Sequence, residues 1–159
     1  SIEVLDLMSN TIGINGMRSM VPFLKNSSNL STLRMSRNSA IGSEGFEIAM
    51  QSLNGSAAMK ELYFAVCNIE DVSSLETYPL SNLRSLSLGY NPIGREGFIT
   101  IANLLQKEDS TLTTLYLHST GMGDEEAEIL ASALNHNASL QYLELGMNNF
   151  GHNGSVLHF

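Results

Sequence analysis

The segment Leu86–Phe98 reads LSLGYNPIGREGF. Its first part alternates large apolar residues with small ones, which is typical of a short β-strand with one buried face. Asn91 and two glycines, Gly94 and Gly97, follow, and Phe98 begins a run with helical spacing. A glycine-rich turn between a strand and a helix can bind a phosphate group. The segment is therefore either a ligand loop or one unit of a repeated architecture.

The same outline recurs along the whole chain. LDLMSNTIGINGM (5–17), LRMSRNSAIGSEGF (33–46), LYLHSTGMGDEEA (115–127) and LELGMNNFGHNGS (143–155) follow it, and LYFAVCNIEDVSS (62–74) is a degenerate copy. Aligned on their first apolar residue, the units begin at Ile2, Leu30, Met59, Leu83, Leu112 and Leu140. Because a chemical site is not normally built five times along a chain, the repetition argues against a phosphate loop. It predicts a solenoid, with the glycines supplying backbone angles that other residues resist.

Each unit reads L-x-x-L-x-L-x-x-N, and most units continue with apolar residues at i, i+3, i+4 and i+7. The asparagine slot holds Asn10, Asn38, Cys67, Asn91, Thr120 and Asn148. This is the signature of leucine-rich repeats. The usual unit length of 28 to 29 residues, the I-G-x-x-G turn, the helical second half and the cysteine in an asparagine slot make the chain resemble the ribonuclease-inhibitor-like subfamily. That subfamily includes ribonuclease inhibitor, Ran GTPase-activating proteins and the repeat domains of NOD-like receptors.

The resemblance implies an α/β solenoid shaped as a horseshoe, with a parallel sheet on the concave side and helices on the convex side. About six repeats would form a single domain over residues 1–159, and the asparagines would bond the backbone of neighbouring turns. The third unit is the shortest and lacks the paired glycines, so a short helix is expected near Ser73 to Glu76, ended by Pro79. Ile2 lacks a polar cap before it, and SVLHF (155–159) does not keep the helical register. These ends predict a fragment or an incompletely capped array.

The residues between the strand leucines are expected to face solvent on the concave side, and this surface is the predicted partner-binding site. The predicted site residues are Arg34, Glu61, Tyr63, Tyr90, Tyr116, His118, Tyr142 and Glu144. Tyrosine and arginine are typical anchors of protein interfaces, although strands also favour tyrosine for its own sake. Small residues such as Ser85, Ser87 and Gly89 predict that the surface is shallow and largely uncharged.

The overall composition and several individual residues disfavour some classes of function. The net charge of -8 disfavours nucleic acid as a partner. A membrane helix requires an apolar run of about 18 residues, and the sequence does not contain one. The one cysteine, Cys67, favours a reducing, cytoplasmic compartment, while Asn-x-Ser sequons at Asn54 and Asn137 leave secretion open. The histidines do not form a ligand motif, so neither a metal nor a cofactor is predicted. They are His118, His136, His152 and His158.

These observations favour a non-catalytic module that binds a protein partner on its concave sheet. One alternative is a regulatory fragment of a larger protein, such as a GTPase-activating protein or a NOD-like receptor. A second is a structural solenoid that self-associates through its uncapped ends.

Overall fold

The computed structural model describes residues 2–151, in which short strands alternate with helices. The elements are β1 (Val4–Asp6), α1 (Ile14–Asn26), β2 (Thr32–Arg34), α2 (Gly42–Leu53), β3 (Glu61–Tyr63), α3 (Ser74–Thr77), β4 (Ser85–Ser87), α4 (Arg95–Gln106), β5 (Thr114–Tyr116), α5 (Asp124–Leu134) and β6 (Tyr142–Glu144). The strands form one parallel sheet in the order β1-β2-β3-β4-β5-β6, and successive helices contact one another. The predicted α/β leucine-rich-repeat solenoid is confirmed.

Equivalent leucines occupy one row across the sheet. Leu5, Leu33, Leu62, Leu86, Leu115 and Leu143 are paired in register from β1 to β6. The four central leucines of this row are fully buried, whereas Leu5 and Leu143 at the two ends are only half-buried. Helical side chains cover the same face, and the rings of Phe46 and Phe64 meet edge to face at 5.1 Å. The repeats therefore share one continuous core, as stacked units that cannot bury their apolar faces alone require.

The asparagines at the strand ends form the predicted internal ladder. Asn38 Nδ2 donates to the carbonyl of Met35 in its own repeat (2.7 Å) and to that of Leu7 in the preceding one (2.9 Å), while its Oδ1 accepts from the N–H of Ile12. Asn91 in the fourth repeat and Asn148 in the sixth make the same set of bonds. Each asparagine thus satisfies buried backbone groups of two repeats at once.

Cys67 takes the asparagine slot of the third repeat as a buried thiol. Its Sγ donates to the carbonyls of Met35 (3.3 Å) and Ala65 (3.5 Å). Burial raises the pKa of the Cys67 thiol to about 11. Because the thiolate is the nucleophile, a thiol that stays protonated at neutral pH serves structure. In the same repeat, α3 takes the place of a longer helix and ends before Pro79, as the sequence predicts.

The explanation of the turn glycines by backbone angles is wrong for the pair in LSLGYNPIGREGF. Gly94 has φ -80° and ψ 175°, an extended conformation open to any residue. At Gly97 the constraint is space, since an added Cβ would lie 2.5 Å from Cγ2 of Ile93. Gly45 and Gly16 stand in the same relation to the isoleucines four residues before them, at 2.7 Å and 2.9 Å. A left-handed angle explains Gly42, where φ is 61°.

The fifth repeat replaces this isoleucine–glycine pair with Met122 and Glu126. Methionine lacks the branched Cγ2 atom that crowds the other glycines, so a side chain fits at position 126. The Glu126 carboxylate accepts from the N–H of Gly123 at 3.0 Å and completes the first turn of α5. The second glycine of the turn is therefore required where the residue four positions before it is a β-branched isoleucine.

Candidate functional site

Six of the eight predicted site residues lie in two rows on the concave face of the sheet. We define the concave face as these two rows together with the residues two and three positions after the end of each strand. The first row is Val4, Thr32, Glu61, Ser85, Thr114 and Tyr142, and the second is Asp6, Arg34, Tyr63, Ser87, Tyr116 and Glu144. His118 follows β5 and Tyr90 follows β4. The alternation within each strand places these side chains opposite the buried leucines.

Arg34, Tyr63 and Glu61 form a connected group on β2 and β3. The Arg34 guanidinium lies 3.5 Å from the Asp6 carboxylate and 5.5 Å from the centre of the Tyr63 ring. The Tyr63 hydroxyl donates to Glu61 Oε2 at 3.3 Å, and the Thr32 hydroxyl donates to the same oxygen at 3.2 Å. Within residues 2–151, Glu61 has no lysine or arginine at ion-pair distance. Its charge is thus met by hydroxyl groups only.

A second group lies on β5, β6 and the turns that follow β4 and β5. The rings of Tyr116 and Tyr142 are 5.4 Å apart, and those of Tyr90 and His118 meet edge to face at 4.8 Å. His118 Nδ1 lies 3.5 Å from Glu144 Oε2, an ion pair when the imidazole is protonated. The predicted site residues are therefore brought together as two adjoining groups, one at each side of β4.

The Tyr116 hydroxyl marks where these two groups meet. Burial raises the pKa of Tyr116, and the phenolate forms of Tyr63 and Tyr142 and the carboxylates of Glu144 and Glu61 raise it further. The phenolate is the charged form of tyrosine, so both burial and neighbouring negative charge disfavour it. Side chains from β3 and β6 thus act on one hydroxyl of β5.

The small residues of β4 do not make the surface shallow and open, as the sequence suggested. Thr32, Ser85 and Ser87 were expected to face solvent, yet they are only 6 to 8% exposed. The Ser85 hydroxyl donates to the Tyr63 hydroxyl at 3.5 Å. The His118 ring covers Gly89 so closely that a Cβ there would lie 2.4 Å from its Cε1. Small residues on one strand give space for the long side chains of the next.

The face is also more charged than the sequence suggested. Asp6, Arg34, Glu61 and Glu144 all lie in its first or second row, and Asp6 and Arg34 form an ion pair. The expectation of a largely uncharged surface rested on small residues such as Ser85, Ser87 and Gly89, whereas the charged side chains lie on β1, β2, β3 and β6. The charge of the face is evident when each row is followed across all six strands, and not when β4 is considered alone.

The third residue after each strand adopts a left-handed backbone conformation in every repeat. The six equivalent residues are Ser9, Arg37, Val66, Tyr90, Ser119 and Met147, with φ between 52° and 62°. The sequence did not predict this conformation. It is uncommon for a residue with a large side chain, and it projects Tyr90 and Met147 outward, where the Tyr90 hydroxyl donates to Met147 Sδ at 3.5 Å.

Residues 2–151 do not contain a cluster of three or more histidine, cysteine or acidic side chains arranged to hold a metal ion. No helix in this part of the chain has the length and apolar character needed to cross a bilayer. His152 and His158 lie outside the described residues.

Comparison with known proteins gives the class. A family model described as Leucine Rich repeat matches residues 1–21, 80–102 and 136–154. With the sheet, the asparagine ladder and the phased leucines, this match supports the leucine-rich-repeat fold of the chain.

The chain is similar to mouse proteins that contain NACHT, LRR and PYD domains. It is 29% identical to NACHT, LRR and PYD domains-containing protein 12 of Mus musculus, over 98% of this chain and 15% of that protein. For protein 14 of the same series the identity is 27%, over 98% of this chain and 16% of that protein. The chain thus spans less than a fifth of the length of these relatives. The predicted resemblance to NOD-like receptor repeats is confirmed, and the ribonuclease-inhibitor-like subtype stays a prediction.

Among solved structures, the chain resembles "Leiomodin-1 Actin-Binding Site 2 (ABS2)". The TM-score is 0.54 and the identity is 14%, over 96% of this chain and 73% of that one. At this identity the likeness supports the fold alone.

Proposed function

We propose that this chain is a non-catalytic protein-interaction module that binds a partner protein on its concave face. The observation that carries the proposal is the set of four tyrosines on the concave face. The rings of Tyr116 and Tyr142 are 5.4 Å apart, Tyr63 lies two strands from Tyr116 in the same row, and Tyr90 follows β4. Tyr142 is 51% exposed and Met147 is 75% exposed. Exposed apolar and aromatic side chains that adjoin one another are typical of interaction sites, and tyrosine is enriched among the residues that dominate binding energy.

The relatives support this proposal and favour one of its alternatives. The names of the mouse relatives include NACHT and PYD domains beside the repeats. We infer that the module acts as the repeat region of a larger, cytoplasmic protein of the NOD-like receptor kind. The leiomodin structure is that of an actin-binding site, which supports protein recognition as a use of this fold without making actin the partner here.

Paired tyrosine substitutions test the proposal. Proteins captured from a cell lysate by the wild-type chain are identified, purified and titrated against variants by calorimetry. Tyr63→Ala with Tyr116→Ala is expected to weaken binding by at least about tenfold, because large aromatic anchors are lost. Phe23→Ala, which removes a 37%-exposed aromatic ring from α1, is the matched control. Equal affinities of the double variant and the wild type, with both folded by circular dichroism, would contradict the proposal.

A further inference from the structure

One half of the concave face combines acidic and aromatic side chains. We define the acidic tyrosine patch as Glu61, Tyr63, Tyr116, Tyr142 and Glu144, which lie on β3, β5 and β6. We propose that this patch binds an extended protein segment that carries two cationic side chains, a conclusion that rests on the proposed function and specifies its partner.

The first argument is charge. In the rows that β3 to β6 contribute, both ionised side chains are carboxylates, those of Glu61 and Glu144. Glu61 accepts only from the hydroxyls of Thr32 and Tyr63, and Glu144 lies beside His118. The nearby positive charge of Arg34 is offset by Asp6. Neither carboxylate of the patch has a lysine or arginine of residues 2–151 at ion-pair distance, so both are available to a cation from outside.

The second argument is the ring system between the two carboxylates. The rings of Tyr116 and Tyr142 are 5.4 Å apart, and burial together with the carboxylates of Glu144 and Glu61 raises the pKa of the Tyr116 hydroxyl. A cation is attracted by the face of an aromatic ring, and more strongly where a carboxylate is close. On β2, Arg34 already makes this contact within the molecule, 5.5 Å above the ring of Tyr63. The patch offers the same chemistry to a cation from outside.

The third argument is spacing. Glu61 and Glu144 belong to strands that are three places apart in the sheet and are offset by two residues along them, which corresponds to about 16 Å between their backbones. An extended peptide rises about 3.3 Å per residue, so its residues i and i+4 are roughly 13 Å apart and project to the same side. A segment that crosses the strands would place one cation at each carboxylate. Arginine fits best because its planar guanidinium both stacks on rings and pairs with carboxylates.

The test uses the whole chain and a defined peptide. The probe is the blocked heptapeptide acetyl-GRGGGRG-amide, and its neutral counterpart has citrulline in place of both arginines. Binding is followed by the NMR shifts of the tyrosine ring protons. We expect the Tyr116 and Tyr142 rings to shift with the arginine peptide, at an affinity roughly tenfold above that for the citrulline peptide, because rings and carboxylates both favour the cation.

Charge-neutral variants separate the patch from the overall charge of the molecule. Glu61→Gln with Glu144→Gln is expected to reduce arginine-peptide binding to the citrulline level. Glu47→Gln with Glu128→Gln changes the net charge equally on exposed positions of α2 and α5 and should leave it unchanged. Equal binding of the two peptides, or equal losses in both pairs of variants, would overturn the inference.

The two proposals fail in different ways. A captured partner that loses affinity on Tyr63→Ala with Tyr116→Ala, but keeps it on Glu61→Gln with Glu144→Gln, would leave the concave face as the binding surface and overturn the cationic partner. A partner insensitive to the tyrosine variants would contradict the proposed function itself.

Discussion

At Gly97, a single added methyl group would lie 2.5 Å from Cγ2 of Ile93 and 3.3 Å from Cγ2 of Val72. The first contact is within the repeat, and the second is with the repeat before it. Real Cβ atoms do not approach other atoms this closely, so side chains or backbone would have to move. Gly94, only three residues away, has free space around the same hypothetical atom. Two glycines of one turn thus have different physical roles.

This difference gives a prediction at the residue scale. Gly97→Ala is expected to lower the free energy of unfolding by about 1 to 2 kcal/mol, because overpacking outweighs the gain in helix propensity. Gly94→Ala should change it by no more than about 0.5 kcal/mol. Urea denaturation measures both values. Adding Ile93→Met, which copies the fifth repeat, should reduce the cost of Gly97→Ala; similar costs for the two glycines would refute the steric explanation.

At the scale of the elements, β1 lies at one edge of the sheet, where the strand of another molecule can pair with it. Asn38, Asn91 and Asn148 each bond their own repeat and the one before it. In the described part of the chain, Asn10 bonds carbonyls of its own repeat only, those of Leu7 and Met8. Val4 is half exposed beside it. Unpaired strand edges favour association, so self-association through this end stays a prediction.

A charge on β1 tests that prediction. If the edge mediates association, the mass of the wild-type chain by light scattering rises with concentration, and Val4→Lys keeps it at the monomer value because a lysine on an edge strand opposes pairing. Gln51→Lys adds the same charge on the exposed side of α2 and should behave as the wild type. A constant monomer mass of the wild type would rule out this edge as an association site.

At the scale of the whole molecule, the spacing of the leucines was enough to predict the fold. Leu86 and Leu115 are 29 positions apart in sequence and neighbours in the sheet, and a repeat in the sequence becomes a register in space because every unit buries the same face. The helical spacing that starts at Phe98 predicts α4 for the same reason. The distribution of the concave side chains into rows follows directly.

The surface of the candidate site was less predictable from the sequence. The His118 ring lies over Gly89, and the Tyr63 hydroxyl lies beside that of Ser85, in each case across two adjacent strands. These contacts depend on which two residues the stacking of repeats places side by side and on the rotamers of both side chains. The sequence of a single repeat does not determine either of them. The left-handed backbone at Val66 and Tyr90 could not be predicted from the sequence either, because residues of these types rarely adopt it.

Photocrosslinking can show whether the concave face is the surface that meets the partner. Benzoylphenylalanine replaces Tyr142 on β6 or, in a separate chain, Phe23 on α1, both of which are exposed aromatic residues. After irradiation with the captured partner, the chain labelled at position 142 should form a covalent adduct, and the chain labelled at position 23 should not. Adducts from position 23 in the absence of any from position 142 would place the partner on the helical side and contradict binding on the concave face.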